Sequence, residues 1–102
     1  MEPIERLEKS NTVENLWIYI LLILREQPSY SWEIFKIIQK KFGFKLGLIT
    51  PYRVLYKLES RGFVRGKFKE KRKIYQITDK GLKELEKAKN FYKKILLWME
   101  KN

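Results

Sequence analysis

The stretch that decides the fold reads Thr50-Pro51-Tyr52-Arg53-Val54-Leu55-Tyr56-Lys57-Leu58-Glu59-Ser60-Arg61-Gly62-Phe63-Val64, continued by a basic run that ends Arg72-Lys73-Ile74-Tyr75-Gln76-Ile77-Thr78. Thr50 is an N-cap residue, and Pro51 suits the first helical position, where its missing N–H is not needed. Val54, Leu55 and Leu58 recur at helical spacing and mark a buried face. Arg53, Tyr56, Lys57, Ser60 and Arg61 fall opposite, and Tyr52 reads more readily as a core ring. Gly62 stops the helix in the left-handed cap position. Phe63, Val64 and Phe68, then Ile74, Tyr75 and Ile77, are strand-type residues on either side of the turn Lys69-Glu70-Lys71-Arg72, and Gly66 would permit a bulge. A capped helix over about 50–61 that feeds a basic hairpin over about 63–77 is the layout of a winged helix-turn-helix.

Working toward the N-terminus, a helix is predicted from Val13 to Glu26, with Asn11 or Thr12 as its cap. Its run from Leu16 to Leu24 is apolar nearly all round, so it is buried on more than one side. One small core can hardly cover such a helix, which implies a partner subunit. Residues 1 to 10 are polar and charged, and read as a mobile arm or a first helical turn. Gln27-Pro28-Ser29 breaks the apolar helix. Ser29 or Ser31 then caps another, from Trp32 to Phe42, with Ile34, Phe35, Ile37 and Ile38 on its buried stripe and Lys36, Lys40 and Lys41 opposite. The glycines Gly43 and Gly47 fit no phosphate-binding loop.

Toward the C-terminus, Thr78 caps a last helix that runs to about Lys101, and Asp79 places a carboxylate at the positive end of its dipole. Leu85, Ala88, Tyr92, Ile95 and Met99 are spaced 3, 4, 3 and 4 residues apart, a heptad seam. Leu82, Phe91, Leu96, Leu97 and Trp98 widen the apolar face. The seam predicts isologous pairing across a twofold axis, which would also cover Trp17 and the rest of the apolar helix. The expected architecture is mainly α with a small β-hairpin. It forms a single domain over 1–102, with a DNA-binding core at 12–78 and a C-terminal dimerisation helix at 79–102.

Charge selects the partner. Twenty-three basic residues against twelve acidic give a net charge of +11, which favours a polyanion through phosphate contact and counterion release. A thermophilic surface tends to balance the two signs, and this one does not. No cysteine or histidine is present, so disulfides, thiolate metal sites and histidine acid–base catalysis are excluded. No cofactor, metal site or enzyme activity is expected. The longest apolar run has nine residues, against the roughly 20 that span a bilayer, so no membrane partner and a cytoplasmic location are expected.

The candidate DNA contacts follow from these patterns. On the predicted helix they are Thr50, for a phosphate at the helix N-terminus, with Tyr52, Arg53, Tyr56, Lys57 and Arg61. Arg53 is the side chain best suited to a bidentate guanine contact. On the wing they are Arg65, Lys67, Lys69, Lys71, Arg72 and Lys73. From Arg61 to Lys73 there are seven basic residues and one acidic, a local charge of +6. Arg65, Lys67, Lys69, Lys71 and Lys73 alternate, which puts them on one face of the extended chain as a phosphate rail or minor-groove probe. The competing explanation is an edge strand protected by lysines.

The same residues carry a resemblance. Tyr52, Leu55, Leu58, Gly62 and Val64, followed by Arg72, Tyr75, Thr78 and Gly81, look like the signature of PadR-type winged-helix transcription regulators. Ser31-Trp32-Glu33-Ile34 resembles that family's Gly-Tyr-Glu-Ile step, and the likeness covers most of residues 13 to 85. It implies a homodimeric, double-stranded-DNA-binding repressor whose C-terminal helix makes the dimer. The chain departs from the pattern at Ile49-Thr50-Pro51, where the family has a small glycine. Its single short C-terminal helix resembles the compact subgroup. Some compact relatives bind flat aromatic compounds at the dimer centre, which makes Trp17 and Trp98 the candidate pocket for a small aromatic effector. The simpler account of Trp17, Tyr19, Trp32, Phe35, Tyr92 and Trp98 is core packing. Two other functions fit the basic charge: a DNA-coating protein without sequence preference, and a protein-interaction module with a basic face.

Overall fold

The computed structural model describes residues 1–47 and 50–101, with Thr50 described by its backbone alone. The elements run α1 (Pro3–Ser10), a 3-10 turn (Val13–Asn15), α2 (Leu16–Glu26), β1 (Ser29–Tyr30), α3 (Ser31–Phe42), α4 (Thr50–Ser60), β2 (Val64–Lys69), β3 (Arg72–Ile77) and α5 (Asp79–Met99). The cap expected at Thr50 lies outside the described residues.

Helix α2 is the hub. Helices α3, α4 and α5 and strand β3 all pack against it. Leu16, Ile20, Leu21, Ile23 and Leu24 are buried, Ile20 and Leu21 completely. Truncating either of these two to alanine would cost about 2–5 kcal/mol. The apolar helix therefore needs a partner subunit far less than its composition implied, because four elements of its own chain surround it. Only Trp17, Ile18, Tyr19 and Leu22 among its large apolar residues stay half-exposed.

Residues Pro3 to Ser10 are neither an arm nor a single turn but a regular helix. Asn11 and Thr12 close that helix instead of opening α2. The Asn11 amide donates to the Leu7 carbonyl at 2.8 Å and the Thr12 hydroxyl to the Glu8 carbonyl at 2.7 Å. Helix α3 likewise starts without a serine cap. Its Glu33 carboxylate accepts the Tyr30 N–H at 2.9 Å, one half of a capping box. Ser29 is instead buried in β1, a strand not expected from the sequence, which pairs with β3 through Ser29–Tyr75 and Tyr30–Ile74. The result is a three-stranded antiparallel sheet in the order β1-β3-β2.

The end of α4 is built as its sequence predicts. Gly62 sits at φ +81°, the Phe63 N–H donates to the Leu58 carbonyl at 2.9 Å and the Gly62 N–H to the Glu59 carbonyl at 3.0 Å. This is a Schellman motif, with Leu58 and Phe63 as its buried apolar pair. The hairpin then runs without a bulge from Val64–Ile77 to Lys69–Arg72, and Glu70 and Lys71 form its tight turn with φ of 51° and 69°. Two positive φ values give the turn the twist that joins neighbouring strands. Thr78 caps α5 by accepting the Gly81 N–H at 3.2 Å, while its hydroxyl donates to the Gly62 carbonyl at 2.6 Å. One residue thus joins the end of α4 to the start of α5. At Gly81 a Cβ would lie 2.3 Å from the Phe63 carbonyl oxygen, so the close approach of helix and sheet requires glycine.

Candidate nucleic-acid interface

Helix α4 divides cleanly. Pro51, Leu55 and Leu58 are buried, and Tyr52, Arg53, Tyr56, Lys57 and Ser60 are exposed. Arg61, just past the helix, continues this face and lies 5.7 Å from the centre of the Phe63 ring. Tyr52 is not a core ring. It is 55% exposed, and Phe35 steadies it edge-on at 5.0 Å. Tyr56 is more exposed still, at 71%. Four long polar side chains thus occupy i, i+1, i+4 and i+5 positions on one side of a helix whose C-terminal end is closed by the Schellman motif. The contact expected of the Thr50 side chain lies outside the described residues.

The wing departs from its predicted pattern at one place. Because Lys69 faces Arg72 across the turn, the alternation changes parity there. Arg65, Lys67 and Lys69 share the solvent face with Arg72, Ile74 and Gln76, and Lys71 stands in the turn. Lys73 lies on the other face with Gly66, Phe68 and Tyr75. There its ammonium donates to the Glu59 carboxylate at 2.7 Å. That bond holds the Lys73 pKa above its ordinary value, against a smaller opposing effect of desolvation. The solvent face is therefore carried by Arg65, Lys67, Lys69, Lys71 and Arg72, and Lys73 is engaged within the chain.

Glu59 was not legible as a site residue, although a signal existed. It is the single acid between Thr50 and Lys69, in a stretch otherwise rich in cations. Phe68, read as an ordinary strand residue, is 78% exposed near the wing tip.

A second exposed surface lies at the far end of α5. Leu85 is only 6% exposed and packs in the core of its own chain, so the open part of the heptad seam begins at Ala88. Beyond it, Tyr92 and Ile95 are 40% exposed and Met99 69%, and Phe91, Leu96, Leu97 and Trp98 are exposed as well. Tyr92, Ile95 and Met99 line a groove of about 1270 Å³ together with Leu7 of α1 and Trp17 of α2. The Tyr92 hydroxyl donates to the Asn11 side chain at 2.6 Å and ties α5 to the end of α1. Trp17 lines this groove, but Trp98 does not. Trp98 lies in a separate depression with Lys94 and Leu97, under the Lys101 ammonium at 4.0 Å. Within one chain the two tryptophans therefore form no common pocket. Nor are the aromatic residues simply core: Phe35 is buried, whereas Trp32 is 52% and Trp98 72% exposed.

Among the described residues no group of acidic, cysteine or histidine side chains could hold a metal ion, and no helix is long and apolar enough to cross a membrane.

A three-helix core, a β-hairpin wing and a long C-terminal helix define a winged-helix regulator. Residues 20–87 match the model of the transcriptional regulator PadR-like family. The chain belongs to that family. Among solved structures it is similar to a PadR family transcription regulator from hypervirulent Clostridium difficile R20291, at 28% identity and a TM-score of 0.75, over 81% of this chain and 92% of that one. It is also similar to a transcriptional regulator from Clostridium thermocellum, at 28% identity and a TM-score of 0.74, over 84% and 93% of the two chains. A PadR family transcriptional regulator from Eggerthella lenta DSM 2243 shares the fold over 94% of this chain and 84% of its own, with a TM-score of 0.75 at 23% identity. No curated protein sequence matches the chain.

Proposed function

We propose that the protein is a homodimeric, sequence-specific double-stranded-DNA-binding regulator that represses by occluding a promoter. The observation that carries the reading is the continuous donor surface from α4 onto the wing. Tyr52, Arg53, Tyr56, Lys57 and Arg61 are exposed on the helix side, and Arg65, Lys67, Lys69, Lys71 and Arg72 on the hairpin. Of the two acids between Thr50 and Lys73, Glu59 is paired with Lys73, which leaves Glu70 in the turn. In this reading α4 enters the major groove, with Arg53 bidentate to a guanine and Lys57 on guanine or phosphate. The wing follows the backbone or the minor groove.

The distal half of α5 supplies the twofold contact. Burial of Tyr92, Ile95 and Met99 against a second copy removes exposed apolar surface from solvent, and Ala88 and Trp17 lie along the same groove. Residues 12–78 thus act as the DNA-binding core and 79–102 as the dimerisation helix. A small aromatic effector would enter beside Trp17, with Trp98 reaching it only from the partner chain. A cytoplasmic location follows from this function.

The test is competition between a preferred duplex and random duplex for the wild type and Arg53→Ala. The wild type discriminates, and Arg53→Ala loses about 1–3 kcal/mol of that discrimination while still binding DNA. Equal competition by both duplexes would instead support a coating protein, and an unchanged Arg53→Ala profile would refute the placement of α4. Failure to bind any duplex at physiological salt would favour a basic protein-interaction module.

A further inference from the structure

One carboxylate joins the proposed recognition helix to both strands of the wing. Glu59 lies late in α4, on the side turned toward the hairpin. One of its oxygens accepts the Lys73 ammonium of β3 at 2.7 Å. The other accepts the Gly66 N–H of β2 at 3.2 Å. Strand β2 is the edge of the sheet, so this bond also satisfies a donor that no further strand would cover. Lys73 is held on this face by more than the ion pair, since its ammonium lies 5.6 Å from the Tyr75 ring centre and 5.9 Å from that of Phe68.

Gly66 makes the arrangement possible. A Cβ there would fall 2.4 Å from the Lys73 Cε and 2.9 Å from the Glu59 carboxylate oxygen. Its φ is not in the left-handed region, unlike that of Gly62 and Gly43. The backbone at position 66 therefore does not require glycine, but the space taken by the Glu59–Lys73 pair does. The missing side chain lets that pair lie flat on the strand. Side-chain ends, rather than backbone, occupy the space, so an added methyl group would displace the pair and leave the strand in place.

We propose that Glu59 is a positioning residue that fixes the wing against α4, so that base contacts from the helix and phosphate contacts from the wing are made in register. The inference rests on the DNA-reading function proposed above. It gives Glu59 two effects on binding. The clamp keeps the wing in one orientation, which serves the preferred sequence. It also occupies the Lys73 ammonium, which would otherwise add a contact that any sequence can satisfy.

Two variants separate position from charge. Glu59→Ala removes the clamp and frees a cation, whereas Gly66→Ala lifts the Glu59–Lys73 pair off the strand with the two charges still paired. Binding to a preferred duplex and to a random duplex is measured across a salt series, alongside amide exchange at residue 66 without DNA. Far-UV circular dichroism verifies folding of each variant. Glu59→Ala is expected to speed amide exchange at Gly66 and to lower the preferred-to-random affinity ratio by about tenfold. It should also tighten random binding, with a salt slope steeper by about one per chain. Gly66→Ala should give the same fall in ratio without the steeper slope.

Unchanged exchange at Gly66 in Glu59→Ala would overturn the clamp. Accelerated exchange with an unchanged ratio would overturn the positioning role, as would a ratio that falls in Glu59→Ala and not in Gly66→Ala. A wild type with no preferred duplex would overturn the DNA-reading function and the positioning role with it, while the exchange measurement would still decide whether the clamp exists.

Discussion

Lys69→Ala combined with Lys71→Ala removes two of the five cations that the wing presents to solvent, one at the end of β2 and one in the turn. Neither side chain is buried, and neither forms an ion pair among the described residues. Lys71 already has a Cβ at positive φ, so alanine adds no new backbone strain, and stability should change by less than about 0.5 kcal/mol. Any effect on binding is therefore electrostatic. Each neutralised phosphate contributes about 0.9 to the slope of log affinity against log salt, so two lost contacts flatten it by about 1.8 per chain. Over a fourfold rise in salt, from about 50 to about 200 mM, the variant should lose about tenfold less affinity than the wild type per bound wing. With two wings engaged the difference is on the order of a hundredfold. The assay is fluorescence anisotropy on a preferred and a random duplex through that salt range. Both duplexes should weaken alike at low salt, because phosphate contacts carry no sequence information. Parallel salt slopes for variant and wild type would show that the wing does not touch the backbone, and a selective loss on the preferred duplex would show that it reads bases.

Ile95→Glu places a carboxylate in the middle of the exposed α5 seam. In a twofold contact two isoleucines are lost, each with roughly 2 kcal/mol of apolar burial, so the dimer dissociation constant should rise on the order of a thousandfold. Sedimentation equilibrium should detect monomer, and an unchanged dimer would rule this seam out. Gly81→Ala drives a methyl group against the Phe63 carbonyl and Ile77, and backbone must move to admit it. Overpacking of about 1–3 kcal/mol outweighs the roughly 1 kcal/mol that alanine gains over glycine in a helix, so thermal unfolding should occur at lower temperature.

The parts of the fold set by local chemistry were legible in the sequence. The stop at Gly62, the turn at Glu70–Lys71 and the cap at Thr78 each follow from a residue and its immediate neighbours. The parts that depend on distant contacts were not. Strand β1 is two residues long and forms only because β3 lies beside it. Asn11 and Thr12 can open a following helix or close a preceding one, and the carbonyls of Leu7 and Glu8 decide the matter. The heptad seam includes Leu85 because one helical stripe faces its own core first and solvent further along. On the wing, alternation identifies faces only within one strand. The register across the turn moves Lys73 away from Lys69 and brings it to Glu59, and no linear pattern contains that contact.

A twofold reader of DNA sequence leaves its signature in the duplexes it selects from a random library at moderate salt. The bound set should converge on a palindrome whose half-sites lie about one helical turn, roughly 34–36 Å, apart. Recovery of sequences with neither a shared motif nor twofold symmetry would contradict it.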